Sequence, residues 1–304
     1  MHKKVFISIL DFNGKKNTIK CLESLDKINT EGVDVTIIVI DNASRDSLTE
    51  AELKTKNIPL KLITNKENLG FAGGHNVGIQ YALEQNADYI LLLNNDTEVD
   101  KDFVVELLKV AEKDDAIAAV GSKIYFAKGN EFHKDRYKEK ELGHVFWYAG
   151  GITDWNNVYG IHRGVDEVDI GQYNEVQETD FASGCSVLLS AKALRDVGLF
   201  DDRYFLYYED GDLQERIKRA GYKIYYAPKS VLWHINAASS GGSGSPLQDY
   251  YISRNRMLFG FLYSPIKTKF ALLRESVKIM ITGRKWQKKG VTDFYLKKFG
   301  KGSY

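Results

Sequence analysis

Residues 33–44 read VDVTIIVIDNAS. Residues 37–40 (IIVI) are apolar at every position, and Asp41-Asn42-Ala43-Ser44 then stops the run. A strand with one wet face alternates; a strand apolar on successive positions fits a sheet covered on both sides. The flanking sequence supplies the rest of such a sheet. Val5–Leu10 is a short apolar run, followed by Asp11-Phe12-Asn13-Gly14 and a helical pattern through Ile19, Leu22 and Leu25. Asp46 or Ser47 is placed to cap a helix after the second strand. Leu60–Thr64 reads as a third strand, Gly73–Leu83 as a helix and Tyr89–Leu93 as a fourth strand. From Thr97 onward the spacing of Phe103, Leu107 and Leu108 is helical. This β-α-β-α-β-α-β order predicts a mostly parallel sheet with helices on both faces.

The polar groups fall on one edge of that sheet. Asp11, Asp41 and the run Asn94-Asn95-Asp96 each follow the carboxyl end of an expected strand. Ligands of open parallel sheets bind in the crevice beyond those ends.

Beyond residue 120 the pattern changes. Lys134–Glu141 is charge-dense and reads as a solvated loop or helix. Val145–Ile152 and Val158–Arg163 read as strands of a smaller, partly antiparallel sheet. Phe181–Ser190 reads as a buried strand, Ala191–Val197 as a short helix, Leu213–Ala220 as a helix closed by Gly221, and Tyr222–Tyr226 as a strand. Residues 239–245, SSGGSGS, have the composition of a mobile lid. A helix is expected from Gln248.

Composition narrows the class. The chain has 304 residues, 43% hydrophobic and 12% aromatic, enough for a large core. Its net charge of +1 hides an asymmetry: residues 266–304 carry eleven Lys and Arg against Glu275 and Asp293. That segment is therefore +9 and the remainder −8. A basic segment on an acidic body reads as a solvated helix face or as a contact for an anionic partner, such as a membrane surface or a phosphorylated substrate; no nucleic acid is expected. Cys21 and Cys185 show no metal-binding spacing and read as reduced, buried thiols of a cytosolic protein. The apolar stretch in MHKKVFISIL is strand-sized, shorter than a signal-peptide core, and no run reaches the ~20 apolar residues of a membrane span.

Three places carry candidate chemistry. Asp96 reads as a helix cap for Thr97 or as a hard oxygen ligand for Mg²⁺ or Mn²⁺, with substrate phosphate completing the shell. Tyr207-Tyr208-Glu209-Asp210-Gly211-Asp212 crowds three carboxylates beside two tyrosines. Like charges persist where a cation binds or where one acid is a poised base, and Asp210 or Glu209 fits the latter. Asp212 also reads as a helix start paired with Arg216. His234 ends the run Val231-Leu232-Trp233 as a metal ligand or as a packed histidine. Gly70, Gly73, Gly74 and Gly78 in ENLGFAGGHNVG would let backbone N–H groups approach a phosphate, although the segment is neither a G-x-G-x-x-G nor a P-loop.

Together these segments resemble the inverting family 2 glycosyltransferases of GT-A fold over roughly residues 4–260. VFISILDFNG and VIDNASRDS are similar to the nucleotide loops, NKENLGFAGGHNVGI to the glycine-rich segment, and LLLNNDTEVD to the D-x-D motif with Asn94 and Asn95 departing from its acidic form. SGCSVLLSAKALRDVGLFDDRYFLYYEDGDLQERIKRAGYKI resembles the acceptor segment and E-D motif, and VLWHINAASSGG the later histidine segment. AGG…HRG…DIGQY and YYISRNRMLFGF look most like bacterial rhamnosyltransferase-type members.

The resemblance implies a GT-A α/β fold with a central, mostly parallel nucleotide-binding sheet, a smaller antiparallel acceptor-side sheet and a C-terminal helical segment. Residues 1–265 form the transferase domain, with a nucleotide half to residue 120, and 266–304 the basic helices. It implies nucleotide contacts from Asp11, Asn13, Asp41, Asn42, Ser44, Asn68, Gly73, Asn76, Asn94 and Asn95. Mg²⁺ or Mn²⁺ is expected on Asp96 and His234. Asp210 is the expected base, with Glu209 beside it. Gly184, Trp147, Trp155, Tyr208 and Asp212 are the candidate acceptor contacts, although Trp147, Tyr148, Trp155 and Tyr159 read equally as core aromatics. The expected donor is dTDP-rhamnose, then a UDP-sugar. The expected acceptor is a glycan or lipid-linked saccharide, met in the cytoplasm or at the inner membrane face. Two rival classes are a sugar-1-phosphate nucleotidyltransferase, disfavoured because the first loop, DFNGKK, lacks that class's glycine-rich triphosphate loop, and a non-catalytic sugar-binding module, which has no need of a base.

Overall fold

The computed structural model describes residues 2–235 and 244–304. The lid expected over 239–245 falls, through residue 243, outside the described residues. The nucleotide half runs β1 (Lys3–Asp11), α1 (Lys15–Leu25), β2 (Val33–Asp41), β3 (Leu60–Thr64), α2 (Gly70–Glu84), β4 (Tyr89–Asn94), β5 (Thr97–Val99) and α3 (Phe103–Ala111). Then follow β6 (Ile117–Phe126), β7 (Phe146–Tyr148), β8 (Gly151–Asp154), β9 (Tyr159–His162), β10 (Gln177–Glu178), β11 (Ser186–Ser190), α4 (Ala191–Val197), α5 (Glu209–Arg219) and β12 (Lys223–His234). Three helices close the chain: α6 (Pro246–Tyr263), α7 (Ile266–Thr282) and α8 (Lys285–Tyr295).

The main sheet has the order β10-β12-β6-β11-β4-β1-β2-β3, with β5 and β7 attached to β12 and β6. β1, β2, β3 and β4 are mutually parallel, β11 runs antiparallel between β4 and β6, and β12 returns parallel to β6. The strand periodicity divides each central strand between two cores. Ile7, Ile9, Ile37, Val39, Leu91 and Leu93 face the core built with α1 and α3. Phe6, Ile38, Ile40, Ile90 and Leu92 face the core built with α2, α4 and α5. Burial on both faces is why these strands are apolar at successive positions. β8 and β9 form a separate antiparallel hairpin.

Several local expectations are corrected. Thr97 does not begin a helix: it opens β5, which pairs with β12, and the helix waits for Phe103. Residues 44–55 hold no helix for Asp46 or Ser47 to cap. The strand expected over Phe181–Ser190 begins only at Ser186. Tyr222–Tyr226 is the front of a longer strand whose register shifts between Ala227 and Val231, which carries Pro228. The α5 helix starts at Glu209, four residues before Leu213.

The basic C-terminal segment is folded onto the body. Arg256 on α6 makes two bonds, of 2.7 and 2.9 Å, to Glu275 on α7. Tyr250 donates to Asp293 at 2.5 Å. The α6–α8 crossing is close because of Gly290, where a Cβ would stand 2.4 Å from the Tyr250 carbonyl oxygen. Backbone cannot step aside as a side-chain tip can. Gly290→Ala is expected to cost about 1–3 kcal/mol through overpacking, read as a lower denaturant midpoint; an unchanged midpoint would mean α8 is loosely held.

Candidate active site

Three acidic strand ends meet where expected, with different occupations. Asp11, fully buried, accepts from Thr18 Oγ1 (2.6 Å) and Asn95 Nδ2 (3.0 Å) on one oxygen and from Ser44 Oγ (3.0 Å) on the other. Asp41, also fully buried, accepts the backbone N–H groups of Ser44 (2.8 Å) and Leu48 (3.1 Å). Both carboxylates are therefore committed to shaping the loops. Asn13 is exposed at the mouth; its N–H donates to Ser44 Oγ and its side-chain oxygen accepts from Arg45 N–H. Asn42 joins β2 to the glycine segment by donating to Asn68 Oδ1 and the Gly70 carbonyl and accepting from Asn65 and Leu69.

The glycine segment is not a phosphate cradle. The Phe71 and Ala72 N–H groups at the start of α2 are taken by the Phe205 carbonyl, at 2.7 and 3.3 Å. A Cβ at Gly74 would meet Leu10 at 2.5 Å, and one at Gly78 would meet Ser8 Oγ at 2.7 Å, so these glycines let α2 lie against the sheet. A Cβ at Gly73 would meet Leu69, the residue before α2, at 2.9 Å. Asn76 ties α2 to Phe200 and Asp202 and does not face the crevice loops.

The run Asn94-Asn95-Asp96 has its partner 138 residues beyond Asp96. The β5–β12 register sets His234 opposite Thr97, and His234 Nε2 lies 3.2 Å from Asp96 Oδ1. Both are buried, at 6% exposure each. Nδ1 of His234 is buried with no partner among the described residues. Trp147 sets its ring edge-on to His234, centroids 4.7 Å apart, and to His162 at 4.4 Å. A carboxylate and an imidazole with an orphaned nitrogen suit Mg²⁺ or Mn²⁺ as a partial donor set. Among the described residues no group of three or more His, Cys, Asp or Glu is placed to hold an ion alone. Ligand oxygens would have to complete the shell. Asn94 extends from the end of β4, its N–H donating to the Cys185 carbonyl at 2.9 Å.

The segment Ala182–Cys185 links this pair to the acid cluster. Gly184 N–H donates to Asp210 Oδ2 at 3.1 Å, and Gly211 N–H donates to Oδ1 at 2.8 Å. A Cβ on Gly184 would stand 3.2 Å from that Oδ2, so the glycine admits the carboxylate. Gln214 clamps α5 to the same segment through both the N–H and the carbonyl of Ala182. Burial pushes the Asp210 carboxyl above its ordinary range, although backbone N–H groups oppose the shift. Burial, then the neighbouring Asp210, raises Glu209 well above the usual carboxylate range; its Oε2 has no partner among the described residues. Both carboxyls are thus shifted upward by the same burial, Glu209 the further of the two.

Asp212 does not belong to the cleft. It is 1% exposed and accepts from Tyr204, Tyr263 and Arg216. Tyr148 is core, its hydroxyl bonded to the Phe181 carbonyl. Trp155 stacks on Phe259 at 5.6 Å, and Tyr208 donates to the Val158 carbonyl, so both build the wall around the acids. Tyr159 is 44% exposed with the Arg256 guanidinium over its ring. Both cysteines are buried; burial raises both thiols, Cys21 to about 12, which leaves no thiolate nucleophile.

Two residues to which the sequence reading gave no role hold the acid cluster. Phe205, Tyr207 and Tyr208 have left-handed backbone, φ 65°, 67° and 73°. Such non-glycine conformations cost roughly 1–3 kcal/mol each and persist only under constraint. Asn255 Nδ2 donates to the carbonyls of Tyr204, Leu206 and Tyr207, at 2.8–2.9 Å. Arg254 donates to those of Arg203, Tyr204 and Gly300. Both are fully buried. The visible signal was the polar run Ser253-Arg254-Asn255-Arg256 set between Tyr250-Tyr251-Ile252 and Met257-Leu258-Phe259.

The profile of Glycosyl transferase family 2 matches residues 7–198. A hexosyltransferase of low-salt glycan biosynthesis, Agl10 of Haloferax volcanii, is 23% identical over 73% of this chain and 66% of its own length. The N-acetylglucosaminyl-diphospho-decaprenol L-rhamnosyltransferase of Mycobacterium tuberculosis is 26% identical over 68% of each chain. Among solved structures, GalNAc-T7 with UDP, GalNAc and Mn²⁺ aligns with a TM-score of 0.62 and 18% identity, over 92% of this chain and 58% of its own. The mannosyltransferase PcManGT of Pyrobaculum calidifontis, with GDP-Man and Mn²⁺, aligns with a TM-score of 0.56 and 13% identity, over 98% of this chain and 75% of its own. The chain thus spans just under two thirds of the length of Agl10 and less of GalNAc-T7; at these identities the structural likeness speaks for the fold.

Proposed function

The chain belongs to glycosyl transferase family 2, and from that premise we propose an inverting glycosyltransferase that moves a sugar, rhamnose first, from a nucleotide-diphosphate donor to a hydroxyl of a glycan or lipid-linked saccharide. The observation that carries this reading is the coupling of two sites through one segment. Gly184 holds Asp210, and Cys185 accepts the N–H of Asn94, two residues before Asp96. A base and a diphosphate-binding end therefore border the same short stretch of chain.

In this reading the acceptor oxygen attacks the anomeric carbon as the bond to the diphosphate breaks on the opposite face. The acceptor proton passes to Asp210. A single displacement inverts the configuration and requires no enzyme nucleophile. The raised basicity of Asp210 brings its affinity for that proton closer to what the transfer needs. Asp96 and His234 would hold Mg²⁺ or Mn²⁺, which offsets charge on the departing diphosphate. Asn13, Ser44, Asn68, Asn94 and Asn95 border the crevice for the nucleotide, while Asp11, Asp41 and Asn42 fix the loops that carry them. Trp147, beside His234, offers a ring face toward donor or acceptor sugar.

The test is thermal stabilisation by nucleotide diphosphates and their sugars, with and without Mn²⁺. A ligand at 100 times its dissociation constant adds about 2.7 kcal/mol to the native state. With two protein ligands, dTDP or UDP is expected to raise the melting temperature strongly only with metal, and His234→Ala to remove the metal-dependent part. Equal stabilisation without metal would overturn the assignment of Asp96 and His234. The same comparison ranks dTDP against UDP.

A further inference from the structure

We propose that α7 seats the protein flat on an anionic lipid bilayer, through a second apolar face that the fold leaves uncovered. Helix α7 has one face turned inward: Thr268, Leu272 and Ser276 are buried, and Glu275 meets Arg256 of α6. At about 100° per residue, Ile266, Phe270, Leu273, Val277, Met280 and Ile281 fall together on the opposite side. All six are exposed, including Phe270 at 66%, Val277 at 59% and Ile281 at 71%. A helix that is polar outward needs no such stripe, and contiguous exposed apolar surface marks an interaction face.

The rim identifies the occupant. Lys267, Arg274 and Lys278 line one border of the stripe and Lys269 the other. None of the four makes an ion pair among the described residues. The segment 266–304 carries +9 overall. An apolar stripe between rows of cations is the pattern of a helix lying in the plane of a membrane interface, with its apolar side in the acyl boundary and its cations among anionic headgroups. A second copy docking through the same face would set cationic rims against each other, which disfavours a symmetric dimer. No helix among the described residues is long and apolar enough to cross a membrane, so contact here lies along the surface.

The inference borrows from the proposed function only its use, the delivery of a lipid-borne acceptor; vesicle binding is measured without any transfer reaction. The full chain is sedimented with phosphatidylcholine vesicles, with and without phosphatidylglycerol. Binding is expected to the anionic vesicles, weakening as salt rises. Phe270→Glu with Val277→Glu, two exposed positions, is expected to reduce it on the order of tenfold or more at an unchanged melting temperature. Anionic binding that survives the double substitution overturns the proposal, as does no binding by the wild-type chain. A wild-type dimer that the double substitution makes monomeric, without vesicle binding, assigns the face to a second copy instead. Loss of the transferase reading would leave the vesicle result standing.

Discussion

Asp210→Asn is expected to lower the rate of sugar transfer about 10²- to 10⁴-fold while leaving nucleotide binding in place. The side chain keeps its shape and its oxygen still accepts the Gly184 N–H. The capacity to take a proton is lost, and the amide N–H₂ now faces the Gly211 N–H, so the melting temperature falls modestly while metal-dependent stabilisation by the nucleotide persists. The wild-type pH profile carries the same signature. The base must be ionised to act, so rate falls as pH drops through its pKa. Because burial raises that pKa, the acid limb lies above the ordinary carboxylate range. Near-wild-type turnover by the Asn variant, or a limb at ordinary carboxylate pH, would remove Asp210 from the base role.

Asn255→Leu is expected to damage both stability and rate. One amide bridges three backbone carbonyls of the loop that enters α5. Leucine has similar volume and no donor. Buried carbonyls without partners cost about 1–3 kcal/mol each, and one of the three retains the Arg254 guanidinium. For the other two the loss is therefore on the order of 2–6 kcal/mol. With the clamp gone, Tyr207 and Tyr208 relax from left-handed backbone and Asp210 leaves its seat. A positioning role predicts a fall in kcat larger than the change in KM for the donor. Asn255→Asp separates the effects, because a carboxylate of the same shape repels those carbonyls. It should be at least as damaging as Leu. Full activity in either variant would show that the strained loop holds itself.

Much of the frame was legible in the primary structure. IIVI in β2 and ILLL in β4 are apolar at every position because each strand feeds two cores, and that constraint leaves its mark residue by residue. Asp96 and His234 stood out because charge or imidazole at the end of an apolar run is costly without a purpose, and Asp210 because three carboxylates crowd into four residues. Local pattern also misled. Thr97 stands before a helical spacing, yet pairing with β12 claimed it for a strand. The glycines of α2 resemble a ligand loop, yet what they approach is Leu10 and Ser8. Asp212 belongs to the same acid cluster as Asp210, and a half turn of α5 sends it into the interior.

The sequence by itself determined the β1–β4 frame with α1 and α2, and which end of that sheet carries the polar groups, because periodicity and burial act on neighbours along the chain. Only the tertiary structure decided which distant groups meet. His234 reaches Asp96 through a three-residue antiparallel pairing, and Arg254 and Asn255 act on backbone carbonyls, which have no letter in the sequence. The same is true of α7: apolar residues lie on two sides of that helix, and packing against α6 and α8 decides which of them is covered and which stays exposed.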